Sequence, residues 1–312
     1  MEMRKLGKTG IEIAPLVLGG NVFGWTADRE TSFAILDAFL AAGFNAIDTA
    51  DVYNRFAPGL KGGESETLIG DWMHDRGVRG AVVIITKAGL PMGEGLEEGL
   101  GADYLQRACE ASLRRLRTDR IDVYMAHCAD PKTPIADTLD TFGALVAAGK
   151  ARVTGCSNYG NAQLAEALAA SAGRAGGYTV FEPHYSLARR DLYEGEAESL
   201  CSAHGVAVIA YYALAAGFLS GKYRSRADFE GKARGSSAAA FFNERSLALL
   251  GRLDAVAARH GASCAQVALA WVMARPSVTA PIASATSLTQ LRDILAAASL
   301  RLTDEDMAEL DG

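Results

Sequence analysis

What this 312-residue chain lacks excludes more than what it holds. Its longest apolar stretch, Gly205 to Leu219, is too short and too broken by glycine to span a bilayer. The opening Met-Glu-Met-Arg-Lys has no apolar core of a secretory signal, so the expectation is a cytoplasmic protein that meets no membrane. Neither sign of charge prevails. The 31 Lys and Arg against 37 Asp and Glu leave a formal net charge of −6, which makes nucleic acid and anionic membrane surfaces unexpected partners. There is no C-x-x-C pair. The five cysteines, Cys109, Cys128, Cys156, Cys201 and Cys264, are scattered and odd in number, which fits reduced thiols and excludes a disulfide frame or a zinc site; no metal is expected. Also missing are G-x-G-x-x-G and the P-loop, the glycine-rich signatures of open doubly wound sheets and of nucleotide triphosphatases.

What is present is one unit, repeated. After a short piece, Met3 to Ile13, that reads as a β-hairpin turning at Lys8-Thr9-Gly10, a brief apolar run alternates with a longer stretch of helical periodicity. The runs are Leu16–Leu18, Phe44–Ile47, Ala81–Thr86, Ile121–Ala126, Ala151–Gly155, Tyr178–Phe181, Val206–Ala210 and Val278–Ala283. Helical stretches between them include Thr31–Ala42, Ser65–His74, Tyr104–Leu116, Ile135–Ala148, Ala162–Ser171 and Leu192–His204. Strands separated by helices pair in parallel, and eight such units close a cylinder. The predicted fold is a (β/α)8 TIM barrel with an N-terminal β-hairpin and long βα loops, one domain over residues 1–312. Helix starts are predicted at Thr133-Pro134, at Ser287 with Gln290 and at Asp191 with Glu194, and left-handed helix ends at Gly43, Gly149 and Gly205.

Barrel enzymes carry their chemistry where the strands end. The second strand ends at Asp48, the third at Lys87 and the fourth at His127, with Tyr53 in the loop beyond Asp48. Each residue alone has an ordinary reading: a turn cap, a solvated amine, a core histidine, a packing ring. Together at one rim they supply an acid, an ammonium, an imidazole and a phenol.

The ordered motifs resemble the aldo-keto reductase superfamily along essentially the whole chain. Gly43-Phe44-Asn45-Ala46-Ile47-Asp48-Thr49-Ala50-Asp51-Val52-Tyr53 with Glu66-Thr67-Leu68-Ile69-Gly70, Ile85-Thr86-Lys87, Tyr124-Met125-Ala126-His127, Gly155-Cys156-Ser157-Asn158-Tyr159 and Ala210-Tyr211-Tyr212-Ala213-Leu214 carry the likeness. The resemblance implies hydride transfer between a nicotinamide cofactor, NADP(H) or NAD(H), and a carbonyl or alcohol of small size. It implies Tyr53 as acid/base, Lys87 lowering the pKa of Tyr53, Asp48 holding Lys87, and His127 orienting the carbonyl. Cofactor contacts carried over in the same way are Gly20, Asn21, Asp48, Ser157, Asn158, Tyr211 and Leu214, with Ser284, Thr286 and Gln290 at the adenosine phosphate, where NADP is favoured by family habit.

Two positions depart from the family pattern. Glu182 stands where glutamine is usual and, as the resemblance implies, still holds the nicotinamide amide as an acceptor, and residues 284–290 offer hydroxyls and a helix start with only Arg292 as a nearby cation. Lys222, Arg224, Arg226 and Arg234 in the Ser220–Asn243 insertion are candidates to close over a pyrophosphate. The glycines of Ala88–Gly101 suit a mobile lid. Trp25, Phe23 and Phe56 are expected to line the substrate pocket of a monomer or weak homo-oligomer. Rival readings are a nucleotide-sensing, non-catalytic barrel subunit and an aldolase-like barrel that forms a Schiff base on Lys87.

Overall fold

The structure is a computed structural model and describes residues 1–55, 57–92 and 98–312. Its strands are β1 Arg4–Lys5, β2 Glu12–Ile13, β3 Val17–Gly19, β4 Ala46–Asp48, β5 Val83–Ala88, β6 Ile121–Ala126, β7 Ala151–Ser157, β8 Tyr178–Glu182, β9 Ala207–Ala210 and β10 Ala280–Ala283. The α-helices are α1 Arg29–Ala41, α2 Glu64–Arg76, α3 Ala102–Leu116, α4 Ile135–Ala147, α5 Asn161–Ser171, α6 Glu196–His204, α7 Gly235–Ala239, α8 Glu244–His260, α9 Cys264–Ala274, α10 Leu288–Ala296 and α11 Asp304–Asp311. β3 to β10 pair in parallel, each with the next, and β10 returns to β3, so the eight strands close the predicted barrel.

Side chains of a strand alternate between faces, and here that alternation sorts the core into two bodies. Val17, Ala46, Val83 with Ile85, Val123 with Met125, Val180, Ala207 with Ile209, and Ala280 with Ile282 point into the cylinder and fill it. The other parity, Leu18, Ile47, Ile84, Tyr124, Cys156, Phe181 and Val208, meets the helical ring. The predicted hairpin forms, β1 pairing antiparallel with β2. Its Leu6, Ile11 and Ile13 join the inner body, and Gly7 lies against Gly205 and Ala207 where β9 begins. The hairpin therefore stoppers the N-terminal mouth and leaves the C-terminal mouth for chemistry.

Local signals are borne out unevenly. Gly43, Gly149 and Gly205 hold φ of 85°, 71° and 66°, the left-handed helix ends predicted. Ser287 Oγ accepts from Gln290 N, but the Gln290 side chain turns to Thr286 instead of closing the box. Thr133 does not cap α4; Pro134 takes the cap position while Thr133 Oγ1 donates to Asp130. The start at Asp191 is not realised: α6 begins at Glu196, after Gly195 with φ of 93° interrupts the chain.

Candidate active site

Following the inward parity up each strand leads to one further layer above the apolar filling: Gly19, Asp48, Lys87, His127, Ser157, Glu182, Tyr211 and Ser284, one residue from each of the eight strands or its immediate extension. Apolar residues below them seal the floor, so this polar layer faces only the open mouth. All but Lys87 line a cavity of about 670 Å3, within the range of small-molecule sites.

At its deep end lies Lys87, fully buried. Its ammonium donates to Asp48 Oδ1, to the Thr49 carbonyl at 3.1 Å and to the Tyr53 hydroxyl at 3.2 Å. Tyr53 in turn donates to Asp48 Oδ2 at 3.0 Å. The turn after β4, closed by Tyr53 N donating to the Ala50 carbonyl, brings that phenol back over the strand end. Burial pulls the lysine toward the neutral amine, but Asp48, Glu182 and Tyr53 outweigh it and hold the group well above its ordinary value. For Tyr53 the net direction is also upward: burial and then Asp48 outweigh Lys87, against the lowering expected from the sequence. Tyr53 is thus a neutral O–H with a cation waiting beside it. His127, edge-on to Tyr53 with ring centroids 6.1 Å apart, is pushed down to about 3 by burial and by Lys87, and stays neutral at physiological pH.

On the next strands, Ser157 Oγ donates to the Glu182 carbonyl at 2.9 Å, and the Asn158 amide donates to the His127 carbonyl at 2.9 Å. Asn158 Oδ1 accepts from the Tyr211 hydroxyl at 2.6 Å. Asn158, Tyr212 and Ala216 line the cavity with φ near 55°, a conformation costly for residues with a Cβ and typical of functional sites. Glu182, 2% exposed, places Oε1 at 3.2 Å from Lys87 Nζ.

At the far end, Ser284 donates to Asn21 at 2.7 Å, and Thr286, Gln290 and the N-terminus of α10 line the wall with Leu214. Cations reach the cavity from the 220–243 segment. Lys222, Lys232 and Arg234 all line the cavity, and burial, then Arg234 and Lys232, lower Lys222. Arg224 is spent on Asp254 at 2.7 and 2.8 Å, and Arg226 stands over the Phe242 ring. Arg292 is exposed and does not line the cavity. Lys232 escaped the sequence reading because nothing marks one lysine of a charged loop as the inward one.

Three expected contacts fall elsewhere. Gly20 has the outward parity: a Cβ there would meet Ser65, Ile69 and the Asp48 carbonyl, so Gly19 lines the cavity in its place. Phe23 is fully buried in the outer core, because the turn from Gly20 to Ala27 folds back and presents Val22 and Thr26 to the cavity. Trp25 is 38% exposed and outside the cavity wall. Phe56 and residues 93–97 of the glycine-rich lid segment lie outside the described residues.

The Aldo/keto reductase family profile matches residues 15–312. An uncharacterized oxidoreductase, YrpG, of Bacillus subtilis is 34% identical over 100% of this chain and 95% of its own length. An aryl-alcohol dehydrogenase of Pestalotiopsis microspora is 31% identical over 96% of the chain and 79% of its length. A protein of Oryza sativa named a probable voltage-gated potassium channel subunit beta is 30% identical over 93% of the chain and 89% of its length. Matched in this way almost from end to end, the chain belongs to the aldo/keto reductase family and is an oxidoreductase of carbonyls and their alcohols.

Proposed function

We propose that this protein moves a hydride between NADP(H) and a small aldehyde or ketone, or the matching alcohol, with Tyr53, Lys87, Asp48 and His127 as its catalytic group. The observation that carries the reading is the Lys87 ammonium bonded at once to Asp48 and to the Tyr53 hydroxyl. Carbonyl reduction builds negative charge on oxygen and needs a proton beside it. Tyr53 gives that proton from a neutral phenol, and the tyrosinate it becomes is matched by Lys87. Asp48 keeps Lys87 charged and aimed. Neutral His127 offers a hydrogen bond that fixes the carbonyl oxygen without competing as an acid.

The cavity fits a dinucleotide. Amide and hydroxyl groups stand with Glu182, whose Oε2 has no hydrogen-bond partner among the described residues, and Lys222, Lys232, Arg234, Ser284, Thr286 and Gln290 line the same cavity. A bound nicotinamide supplies or receives the hydride. Ser157, Asn158, Glu182 and Tyr211 hold its ring at the tetrad, Asn21 and Leu214 flank it, and Ser284, Thr286 and Gln290 with Lys222, Lys232 and Arg234 hold the phosphates. NADP is kept over NAD as the family resemblance implies, and a cation of this set at the 2′-phosphate would add a charge-assisted bond there.

The other readings fare worse. A Schiff base needs a free amine, and Lys87 is held protonated. The rice relative is named a channel subunit, but a barrel that only sensed nucleotide would have no use for Tyr53 and Lys87 arranged around a carbonyl position. The net charge of −6 argues against a nucleic-acid or anionic-membrane partner. Five unbridged cysteines suit a reducing cytoplasm, and no described helix is long and apolar enough to cross a membrane.

Tyr53→Phe tests the assignment. Loss of a general acid predicts a fall of about 10²–10⁴-fold in turnover of a panel of aldehydes with NADPH, while the NADPH dissociation constant stays within about threefold. Turnover near that of the parent would reject the role.

A further inference from the structure

Lys87 has more oxygen neighbours than hydrogens. An ammonium carries three, and they go to Asp48, Thr49 and Tyr53. Glu182 Oε1 is the fourth oxygen, 3.2 Å from the same nitrogen, and Glu182 Oε2 is buried without a hydrogen-bond partner among the described residues. Asp48 already neutralises Lys87. An ionised Glu182 would be a second buried negative charge on one cation, and an uncompensated buried charge is costly.

The charged and titratable groups that act on it are Asp48 from β4, Lys87 from β5 and the hydroxyls of Tyr53 and Tyr211. Burial first, then Asp48, against the pull of Lys87, raise the Glu182 carboxyl to about 8. At neutral pH it holds a proton, and its carboxyl lines the deep end of the cavity. A hydride donor must lie within reach of a carbonyl held by Tyr53 and His127, so this carboxyl faces the ring whose charge changes during the reaction.

We propose that Glu182 is the proton store of the reaction: protonated while the nicotinamide is reduced and neutral, and ionised, by way of Lys87 and Tyr53, when the ring becomes cationic. The proposal rests on the cofactor reading above. In reduction, the hydride of the dihydronicotinamide forms a C–H bond at the carbonyl carbon, and the π pair of the C=O bond moves to oxygen. That oxygen takes the Tyr53 proton, Tyr53 takes one from Lys87, and Lys87, turning about its Cε–Nζ bond, takes one from Glu182. The carbonyl is reduced by two electrons and the nicotinamide oxidised by two. The positive charge left on the ring is matched by the new carboxylate, and no solvent proton is consumed. Oxidation of an alcohol runs the same transfers backwards. A glutamine at this position has no proton to give.

Calorimetric titration of the full-length protein with NADP+ and with NADPH, in two buffers of different ionisation heat from pH 6 to 9, tests this. At pH 7 the wild type is expected to release up to about one proton on binding NADP+ and none on binding NADPH. The ratio of the NADP+ to the NADPH dissociation constant then falls as pH rises toward 8, by as much as about tenfold per pH unit. In Glu182→Gln the ratio is flat. Titration of the 2′-phosphate is common to both forms and cancels in the ratio. Equal proton counts for the two forms, or the same slope in Glu182→Gln, overturn the proposal. If the variant fails to fold, the wild-type proton counts decide alone. If neither form of the dinucleotide binds, the cofactor reading falls first and takes this proposal with it.

Discussion

Tyr53 shows how a site reverses the expectation attached to a residue type. An ammonium beside a phenol lowers its pKa in isolation, yet here burial and the carboxylate of Asp48 dominate and the phenol is held up. The sequence placed Tyr53, Lys87 and Asp48 at one rim but did not say how dry that rim is. Asp51, two residues before Tyr53, carries the same lesson into stability. It is buried, its Oδ1 has no partner among the described residues, and burial with Glu66 nearby raises it to about 8. Between an unfolded value near 4 and that folded value, rising pH ionises the unfolded chain while the folded carboxyl stays neutral. Folding stability therefore falls with pH across this window, by at most about 1.4 kcal/mol per unit. Asp51→Asn should melt higher than the parent at pH 8, with the gap closing toward pH 5. A gap that does not change with pH, followed by circular dichroism, would contradict this account.

Elements explain which predicted contacts failed. Asp48, Lys87 and His127 come to one inward layer because a strand's side chains alternate, so the residue two beyond Ala46, Ile85 or Met125 in the barrel filling also points inward. Gly20 failed by that same rule, being one position past the inward Gly19. Phe23 failed because a turn has no period of two to extrapolate. Gly70 makes a testable case on the helical side. It lies on α2 where a Cβ would press on the Arg115 carbonyl and fall 2.6 Å from the Leu116 carbonyl carbon at the end of α3. Both groups are backbone and cannot swing away. Gly70→Ala should therefore cost about 1–3 kcal/mol by overpacking, although alanine raises helix propensity by roughly 1 kcal/mol. A rise in denaturation midpoint on this substitution would show that the helices slide apart freely.

At the scale of the molecule, a chain of net charge −6 nonetheless presents Lys222, Lys232 and Arg234 together along one cavity. A local cationic field of this kind attracts a polyphosphate despite the sign of the whole surface, and salt screens it. The double variant Lys222→Ala, Arg234→Ala should lower the preference for NADPH over NADH by about tenfold or more, given about 1.5–3 kcal/mol for each charge-assisted bond. The association rate of NADPH with the parent should fall as ionic strength rises, and that dependence should weaken in the variant. An unchanged NADPH-to-NADH ratio in fluorescence titrations would move the 2′-phosphate to other residues.

By itself the sequence determined the count and order of strands, the closed cylinder they make, the hairpin before it, and the four residues that meet at its mouth. These follow from local periodicity and from ordered motifs, which survive in one dimension. Tertiary structure alone decided that Glu182 leans on Lys87, that Tyr53 is held neutral, that Lys232 and Arg234 turn inward while Arg224 is tied to Asp254, and that Phe23 packs in the core. Each of these depends on the distance between groups far apart in the chain and on how much water remains between them, and no residue states either quantity on its own.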